Sequence, residues 1–228
     1  MTTNNNLTDS ITDRTTGLLM NKSLVLPNAS GNGIKVNNTN PQFGWQDLLG
    51  NLVVKGSGVT NPNFAIFIGN ISAYQFSNTG APGSGQTFYC VYHMPHDWAP
   101  GTDIYWHVHW AHNSASVTTG AVTFQYEVSY AKGFNQAPFS TSVLGTVTQN
   151  ASTIQYQHMV AEGQLSVAGG SGTQLNTTNL EVDGIIILAF SCSANTISAA
   201  TNPFIFTADI HYQSTGISTK NKAPNFYT

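Results

Sequence analysis

The sequence predicts an all-β protein, a single jelly-roll or β-sandwich domain that follows an extended N-terminal arm. Two observations lead to this prediction. Only 7% of the 228 residues are charged, and no segment has the Ala-, Glu- and Leu-rich 3.6-residue period of a helical bundle. Segments of alternating apolar and polar residues recur instead, separated by clusters of Gly, Pro and Asn, as in sandwiches and barrels.

Residues 1–41 differ in composition from the rest of the chain. They are rich in Asn, Thr and Gly, and their apolar patches are short, too small to form a core of their own. Such a segment is either disordered or an arm that lies across a partner subunit, and the apolar patches favour the arm. A β domain over residues 42–228 is expected to follow it. The candidate contacts of the arm are Leu18, Leu19, Leu24 and Leu26. Residues 43–50 are predicted to form a short helical turn that anchors the arm.

Strand patterns are dense from residue 51 onward. Strands are predicted at 52–55, 64–69, 71–76, 87–94, 103–112, 121–130, 141–148, 153–161, 180–192 and 203–212. In the strand predicted at 121–130, the alternation of side chains puts five residues on one face: Val122, Phe124, Tyr126, Val128 and Tyr130. In the strand predicted at 203–212, the same alternation puts these residues on one face: Phe204, Phe206, Ala208, Ile210 and Tyr212. The apolar run Ile185–Phe190 is predicted to be a central strand that is buried on both faces.

Charge and apolar patterning exclude several classes of protein. Seven Lys and Arg residues, only one of them Arg, are scattered along the chain, which argues against nucleic-acid binding. No apolar run reaches the length of a membrane span. The N-terminus has neither the basic nor the apolar region of a secretory signal, so synthesis in the cytoplasm is expected. Cys90 and Cys192 are either buried free thiols or a bridge between neighbouring strands.

The segment 89–112 contains five of the seven histidines and three of the four tryptophans. His107 and His109 share one face of a strand, about 7 Å apart, so their imidazoles could bind one transition metal. His93 or His211 could supply a further ligand. The alternative is that these imidazoles only form hydrogen bonds within an aromatic-rich interface, and both interpretations stay open. The candidate interface residues of this segment are Trp98, Trp106 and Trp110.

Motifs of enzymes are incomplete in this sequence. The His-x-His pair resembles the first motif of cupins, with Gly101 and Gly120 at the flanking glycine positions, but Asn113 stands where that motif has its acid. No Gly-x-Ser-x-Gly elbow is present, and no two carboxylates are paired by the pattern for glycoside hydrolysis. We predict a protein that is not an enzyme and has no cofactor, except for the structural metal that His107 and His109 could hold.

The stretch His93-Met-Pro-His-Asp-Trp-Ala-Pro-Gly-Thr-Asp-Ile104, followed by His107-Val-His-Trp110, resembles a pattern of tailed-bacteriophage virion proteins. Residues 43–50 and 209–227 strengthen the resemblance. It implies a structural component of the phage particle, located in the virion, and it implies no catalytic residues.

The resemblance favours a capsid decoration or cement protein that contacts itself and the phage shell. A homo-oligomer is expected, with a trimer favoured by analogy with other jelly rolls. Phe226 and Tyr227 are the candidate contacts in the C-terminal tail. The alternative is a neck, tail or fibre protein that binds host surface glycans. A third hypothesis is a metal-dependent jelly-roll enzyme that uses His107 and His109.

Overall fold

A computed structural model describes the chain over residues 44–55 and 61–227. Twelve strands and one short 3-10 helix, Thr177–Asn179, lie in these ranges, so the predicted all-β fold is confirmed. The arm contacts predicted at Leu18, Leu19, Leu24 and Leu26 lie outside the described residues. None of the helices found in the described ranges is long and apolar enough to cross a membrane.

Most of the strands form two antiparallel sheets, which pack face to face as a sandwich. They are β1 (Gly44–Gly50), β2 (Asn63–Ile68), β3 (Ile71–Gln75), β4 (Thr87–His93), β5 (Tyr105–Ala111), β6 (Ala121–Ala131), β7 (Val143–Asn150), β8 (Met159–Gln164), β9 (Ser166–Val167), β10 (Leu175–Asn176), β11 (Ile185–Asn195) and β12 (Phe204–Ser214). Sheet 1 has the order β2-β3-β12-β5-β8, and β1 also pairs with β12; sheet 2 has the order β4-β11-β6-β7. The short strands β9 and β10 pair in parallel.

The helical turn predicted at residues 43–50 is wrong for the part that the structure describes. Gly44–Gly50 is strand β1, paired antiparallel with β12 so that Trp45 lies opposite Gln213 and Gly50 opposite Ala208. The backbone partners of β1 lie more than 150 residues away in the sequence. A local pattern cannot reveal such a partner, because strand pairing is decided by the tertiary arrangement.

Aromatic side chains fill the space between the sheets. The face predicted for β6, from Val122 to Tyr130, is buried as expected. Trp106 on β5 contacts the rings of Tyr126 and Phe190 in the opposite sheet. The interface predicted at Trp98, Trp106 and Trp110 is therefore wrong, since all three side chains are core residues. Alternation on β5 explains this, because Trp106 and Trp110 point inward where the histidines between them point outward.

Strand β11 is central, as predicted, but only one of its faces is buried. Ile186, Leu188 and Phe190 lie in the core, whereas Ile187 is 40% exposed on the outer face of sheet 2. The continuous apolar run suggested burial on both faces, which is typical of parallel sheets covered by helices. No helix covers sheet 2 in the described part of the chain, so the outer face stays open.

A β-bulge changes the inward face of β12. The register with β5 shifts between Ile205 and Thr207, which leaves Phe206 as the extra residue. Phe204 and Phe206 consequently contact Phe67 and do not join the core between the sheets. The predicted face is correct for Ala208, Ile210 and Tyr212 and wrong for the two phenylalanines, because one inserted residue reverses the alternation before it.

Three other predicted strands differ from the observed ones. Between residues 52 and 55 only Val53 pairs, in an isolated bridge to Tyr89. Residues 153–156 form bends and turns, and β8 begins at Met159. Residues 180–184 also lie outside the strand that begins at Ile185. Turns with a positive φ at Tyr156 and Asp183 separate these segments from the strands that follow.

Both cysteines are free and buried. Cys90 on β4 lies opposite Leu188, and Cys192 on β11 lies opposite Phe124, so neighbouring strands do not bring the two sulfurs together. Burial raises the pKa of Cys90 to about 11 and the pKa of Cys192 to about 12. Of the two alternatives left open by the sequence, the structure has the free thiols.

The loop between β4 and β5 holds the C-terminal tail. The Asp97 carboxylate accepts hydrogen bonds from Tyr212 Oη at 3.1 Å and Ser214 Oγ at 2.5 Å. Phe226 is buried and its ring lies 5.7 Å from that of His96. The prediction of Phe226 as a subunit contact is wrong, because this side chain packs within its own subunit. Tyr227 is exposed, so its predicted contact stays a prediction.

Candidate functional site

Two adjacent strands bring together three ligand-type side chains on the outer face of sheet 1. His107 and His109 lie on β5, and Asp209 on β12 lies directly opposite His107 in the register. Nδ1 of His107 is 3.3 Å from Asp209 Oδ2, and Nε2 of His109 is 2.8 Å from Asp209 Oδ1. One ligand atom from each residue lies within 4.8 Å of the other two. We call these three residues the His–Asp cluster.

The outer nitrogens of the two histidines have partners of their own. His107 Nε2 is 2.7 Å from Oε2 of Glu162, which lies opposite it on β8. A carboxylate only accepts hydrogen bonds, so this nitrogen carries a proton and donates. His109 Nδ1 is 2.8 Å from Nε2 of His158. The imidazoles are thus oriented from outside, with His107 Nδ1 and His109 Nε2 turned toward Asp209.

Asp209 is the most deeply buried member of the His–Asp cluster, at 1% exposure. Neither of its oxygens accepts a hydrogen bond of acceptable geometry, although both lie near imidazole nitrogens. The adjacent Asp209 carboxylate raises the pKa of His107 against the opposing effect of burial. Burial lowers the pKa of His109, although Asp209 favours its charged form. A buried carboxylate that accepts no hydrogen bond is unfavourable unless a cation neutralises it.

The sequence-predicted ligands divide between two places. His211 lies beside the cluster, and its ring centroid is 4.7 Å from that of His107. Its Nε2 is 3.2 Å from Asp47 Oδ1. Asp47, His107 and His211 form a second group of possible metal ligands. His93 does not join either group, because its Nε2 is 2.8 Å from Asp183 on the side of sheet 2. The prediction that His93 faces the pair is wrong, since β4 and β5 belong to different sheets.

Sequence reasoning missed His158 and Asp47, and it counted Glu162 and Asp209 only among the acids that no pattern pairs. One pattern pointed to Asp209, since it is a carboxylate inside an apolar strand whose neighbours Ala208 and Ile210 face the core. For the other three residues the sequence offers no such pattern. Their positions depend on the register of β8 and β1 against the central strands, which is a long-range property.

An exposed aromatic group lies next to the second set of ligands. Trp45 on β1 is 46% exposed, and its ring lies 5.6 Å from that of Tyr105 and 5.2 Å from that of His211. The indole is thus held in place by neighbouring rings while part of it faces solvent. Such a held aromatic surface suits stacking against an apolar face of a ligand.

The β2–β3 hairpin forms an uncharged apolar edge of sheet 1. Strand β2 is outermost, and the tight turn after it begins with Gly69 at φ +56°, as a type II′ turn requires. Phe64, Ile66 and Ile71 are 69%, 64% and 66% exposed. The sequence of β2, NFAIFI, has neither charge nor proline, the usual protections of an edge strand. We call these three residues the apolar edge.

No protein-family model and no curated protein sequence matches the chain. Among solved structures, the chain is similar to part of the Clostridium thermocellum endo-1,4-β-D-xylanase 10B, in a structure of its N-terminal CBM22-1 and GH10 modules complexed with xylohexaose. The similarity has 14% sequence identity and a TM-score of 0.32, and it covers 73% of this chain and 26% of that one. This chain therefore spans about a quarter of the length of that protein.

Proposed function

We propose that the chain is a non-enzymatic structural subunit of a bacteriophage virion, a homo-oligomer that decorates or cements the capsid. The virion part of the proposal rests on the sequence resemblance, and the observation that carries the homo-oligomer is the apolar edge formed by Phe64, Ile66 and Ile71, which is exposed in a single subunit. Its occupant is a second copy of this chain, because an outermost strand with free backbone groups pairs most readily with another strand edge.

The size of the apolar edge supports a subunit contact. Each of its side chains is about two-thirds exposed, and full burial of such a side chain is worth about 1.5–3 kcal/mol. Three on each subunit, with the backbone hydrogen bonds of a new strand pair, would offset much of the entropy lost on association. The low content of charged residues in the chain removes a common source of repulsion between copies.

The residues that resemble phage virion proteins have structural tasks in the fold. His93 and His96 both lie near the Asp183 carboxylate, at 2.8 Å and 3.4 Å. Asp97 accepts hydrogen bonds from the end of β12, and Trp98 is buried. This segment joins the two sheets to the C-terminal tail, which is the role expected in a scaffold and differs from that of a catalytic loop.

The oligomer is tested by native mass spectrometry and light scattering of the wild type and of Ile66→Lys. A lysine at the centre of the apolar edge should dissociate the proposed homo-oligomer into monomers without unfolding it, because the side chain is mostly exposed. The matched control is Val91→Lys, an equally exposed β-branched position on the other sheet, which should leave the oligomer intact. A monomeric wild type, or an unchanged Ile66→Lys oligomer, would contradict this contact.

The virion role needs a separate measurement. A cryo-EM map of phage particles that contain the chain should show density for it on the outside of the capsid shell. Density at the neck or tail, and none on the shell, would instead support the alternative of a neck, tail or fibre protein. Absence from the particle altogether would remove the virion proposal.

A second candidate function, glycan binding by a neck, tail or fibre protein, is favoured by Trp45. This indole is half exposed and held between Tyr105 and His211, an arrangement that suits stacking on a sugar ring. A glycan array should then give a signal that Trp45→Ala abolishes and that Tyr227→Ala, at an exposed aromatic in the tail, preserves. A wild-type protein without any signal would refute glycan binding.

A further inference from the structure

We propose that the His–Asp cluster is a binding site for one divalent first-row transition metal ion, with Nδ1 of His107, Nε2 of His109 and the Asp209 carboxylate as ligands. The inference is independent of the proposed virion role, since a metal could bind whether or not the chain assembles. The three ligands lie on two adjacent strands, β5 and β12.

The distances within the cluster suit such an ion. Ligand atoms bound at about 2.0–2.2 Å in a tetrahedral site lie roughly 3.4 Å from one another. The distance from His107 Nδ1 to Asp209 Oδ2, 3.3 Å, is close to that value, and the distance from His109 Nε2 to Asp209 Oδ1 is shorter, at 2.8 Å. One ligand atom of each of the three residues lies within 4.8 Å of the other two. Two imidazoles and one carboxylate are a ligand set for zinc and related ions.

The buried Asp209 carboxylate points to a cation between the three groups. Both carboxylate oxygens of Asp209 are buried, with Oδ2 3.3 Å from His107 Nδ1 and Oδ1 2.8 Å from His109 Nε2. Neither contact has the geometry of a hydrogen bond. A metal ion bound between the three groups would neutralise this buried carboxylate.

The surroundings of the cluster resemble those of metal-binding histidines. Such histidines usually donate their other ring N–H to a carboxylate or another acceptor, which orients the ring and strengthens its ligand nitrogen. His107 has Glu162 in this position at 2.7 Å, and His109 has His158 at 2.8 Å. Asp209 is 1% exposed while His109 is partly accessible, so an ion could enter from the side of His109.

The neighbouring group of Asp47, His107 and His211 is the rival site. It shares His107, so only one of the two groups can use that imidazole through a given nitrogen. Asp47 is exposed and its carboxylate is free to be solvated, whereas Asp209 is buried without a hydrogen-bond donor. Because an unsatisfied buried carboxylate gains more from a cation than a solvated one, the geometry favours the site with Asp209.

The test is equilibrium dialysis of the full chain against Zn²⁺, with the bound metal counted by mass spectrometry. Wild type should bind one Zn²⁺ per chain, and its thermal midpoint should rise with metal and fall again with a chelator. Asp209→Asn and His109→Gln should each lower the Zn²⁺ affinity at least about tenfold. Loading with Co²⁺ should give visible absorption bands in the wild type and weaken them in both variants.

Two control variants separate this site from the alternatives. His93→Gln removes a histidine that lies with Asp183 and should leave the affinity unchanged. His211→Gln removes the rival site and should change the affinity little. Overturning results are a wild type that binds no Zn²⁺, an affinity that survives in Asp209→Asn and His109→Gln, or an affinity lost in His211→Gln alone. If Asp209→Asn does not fold, His109→Gln carries the test, because His109 lies partly at the surface.

Discussion

Two adjacent isoleucines on β11 offer a direct test of which face of sheet 2 is buried. Ile186 is fully buried between the sheets, and Ile187 is 40% exposed on the outer face. Replacing each by Ala removes the same three carbons from the same central strand, so the loss of β propensity is similar. The difference in stability between Ile186→Ala and Ile187→Ala then reports burial alone.

The expected magnitudes follow from the exposures. Three deleted carbons at about 0.8 kcal/mol each give roughly 2.4 kcal/mol for a fully buried side chain. A rigid core adds a cavity term, so Ile186→Ala should lower the free energy of unfolding by about 3–4 kcal/mol. Ile187 has lost about 60% of its exposure and water can fill the space left behind, so Ile187→Ala should cost roughly 1.5 kcal/mol.

The assay is urea unfolding followed by tryptophan fluorescence, with all variants at one protein concentration and with linear extrapolation to water. The conservative pair Ile186→Val and Ile187→Val serves as the control, with expected costs of about 0.5–1.5 kcal/mol for the first and less for the second. Equal costs for the two Ala variants would refute the argument, because they would mean that both faces of β11 are buried.

Three further predictions concern burial and hydrogen bonding elsewhere in the sandwich. Cys90 and Cys192, with pKa values of about 11 and about 12, should not react with a thiol reagent at pH 8 in the native protein, and both should react after unfolding without reductant. Gly145→Ala should destabilise the fold by about 1–3 kcal/mol in thermal unfolding, because the new Cβ would meet the Tyr126 ring. Asp97→Ala should lower the free energy of unfolding by roughly 2–4 kcal/mol, because two hydroxyl groups lose their acceptor.

Each of these predictions has a matched control or a contradicting result. No reactive thiols after unfolding would indicate a disulfide and contradict the free cysteines. Gly172→Ala, where a Cβ meets nothing within 4 Å, should change the thermal midpoint little, and a similar loss at both glycines would contradict the close approach at Gly145. Asp47→Ala removes an exposed carboxylate and should cost much less than Asp97→Ala.

Much of the candidate site follows from the alternation of side chains along single strands. The His-x-His spacing predicts that His107 and His109 share a face, and in the structure they do. The same alternation, applied to the residues between them, puts Trp106 and Trp110 on the opposite face and in the core. The pattern alone therefore predicts that both tryptophans are core residues, and their assignment to a subunit contact did not follow from it.

Other features needed the tertiary structure because they depend on residues far apart in the chain. The position of Asp209 opposite His107 is set by the register between β5 and β12, and the distance of His93 from the pair is set by the sheet to which β4 belongs. The bulge at Phe206 shifts the alternation at one residue, and no local composition marks it. Register is decided by the sum of packing on both strands.

The sequence by itself determined the all-β class, the inward face of β6 and the shared face of His107 and His109, because successive side chains of a strand point to opposite faces. The tertiary structure alone decided which strands are neighbours, that β1 adds to sheet 1, and that a buried Asp209 lies between the two imidazoles. The physical reason is range: alternation acts between residues two apart, whereas strand order, register and burial are settled only when distant segments pack together.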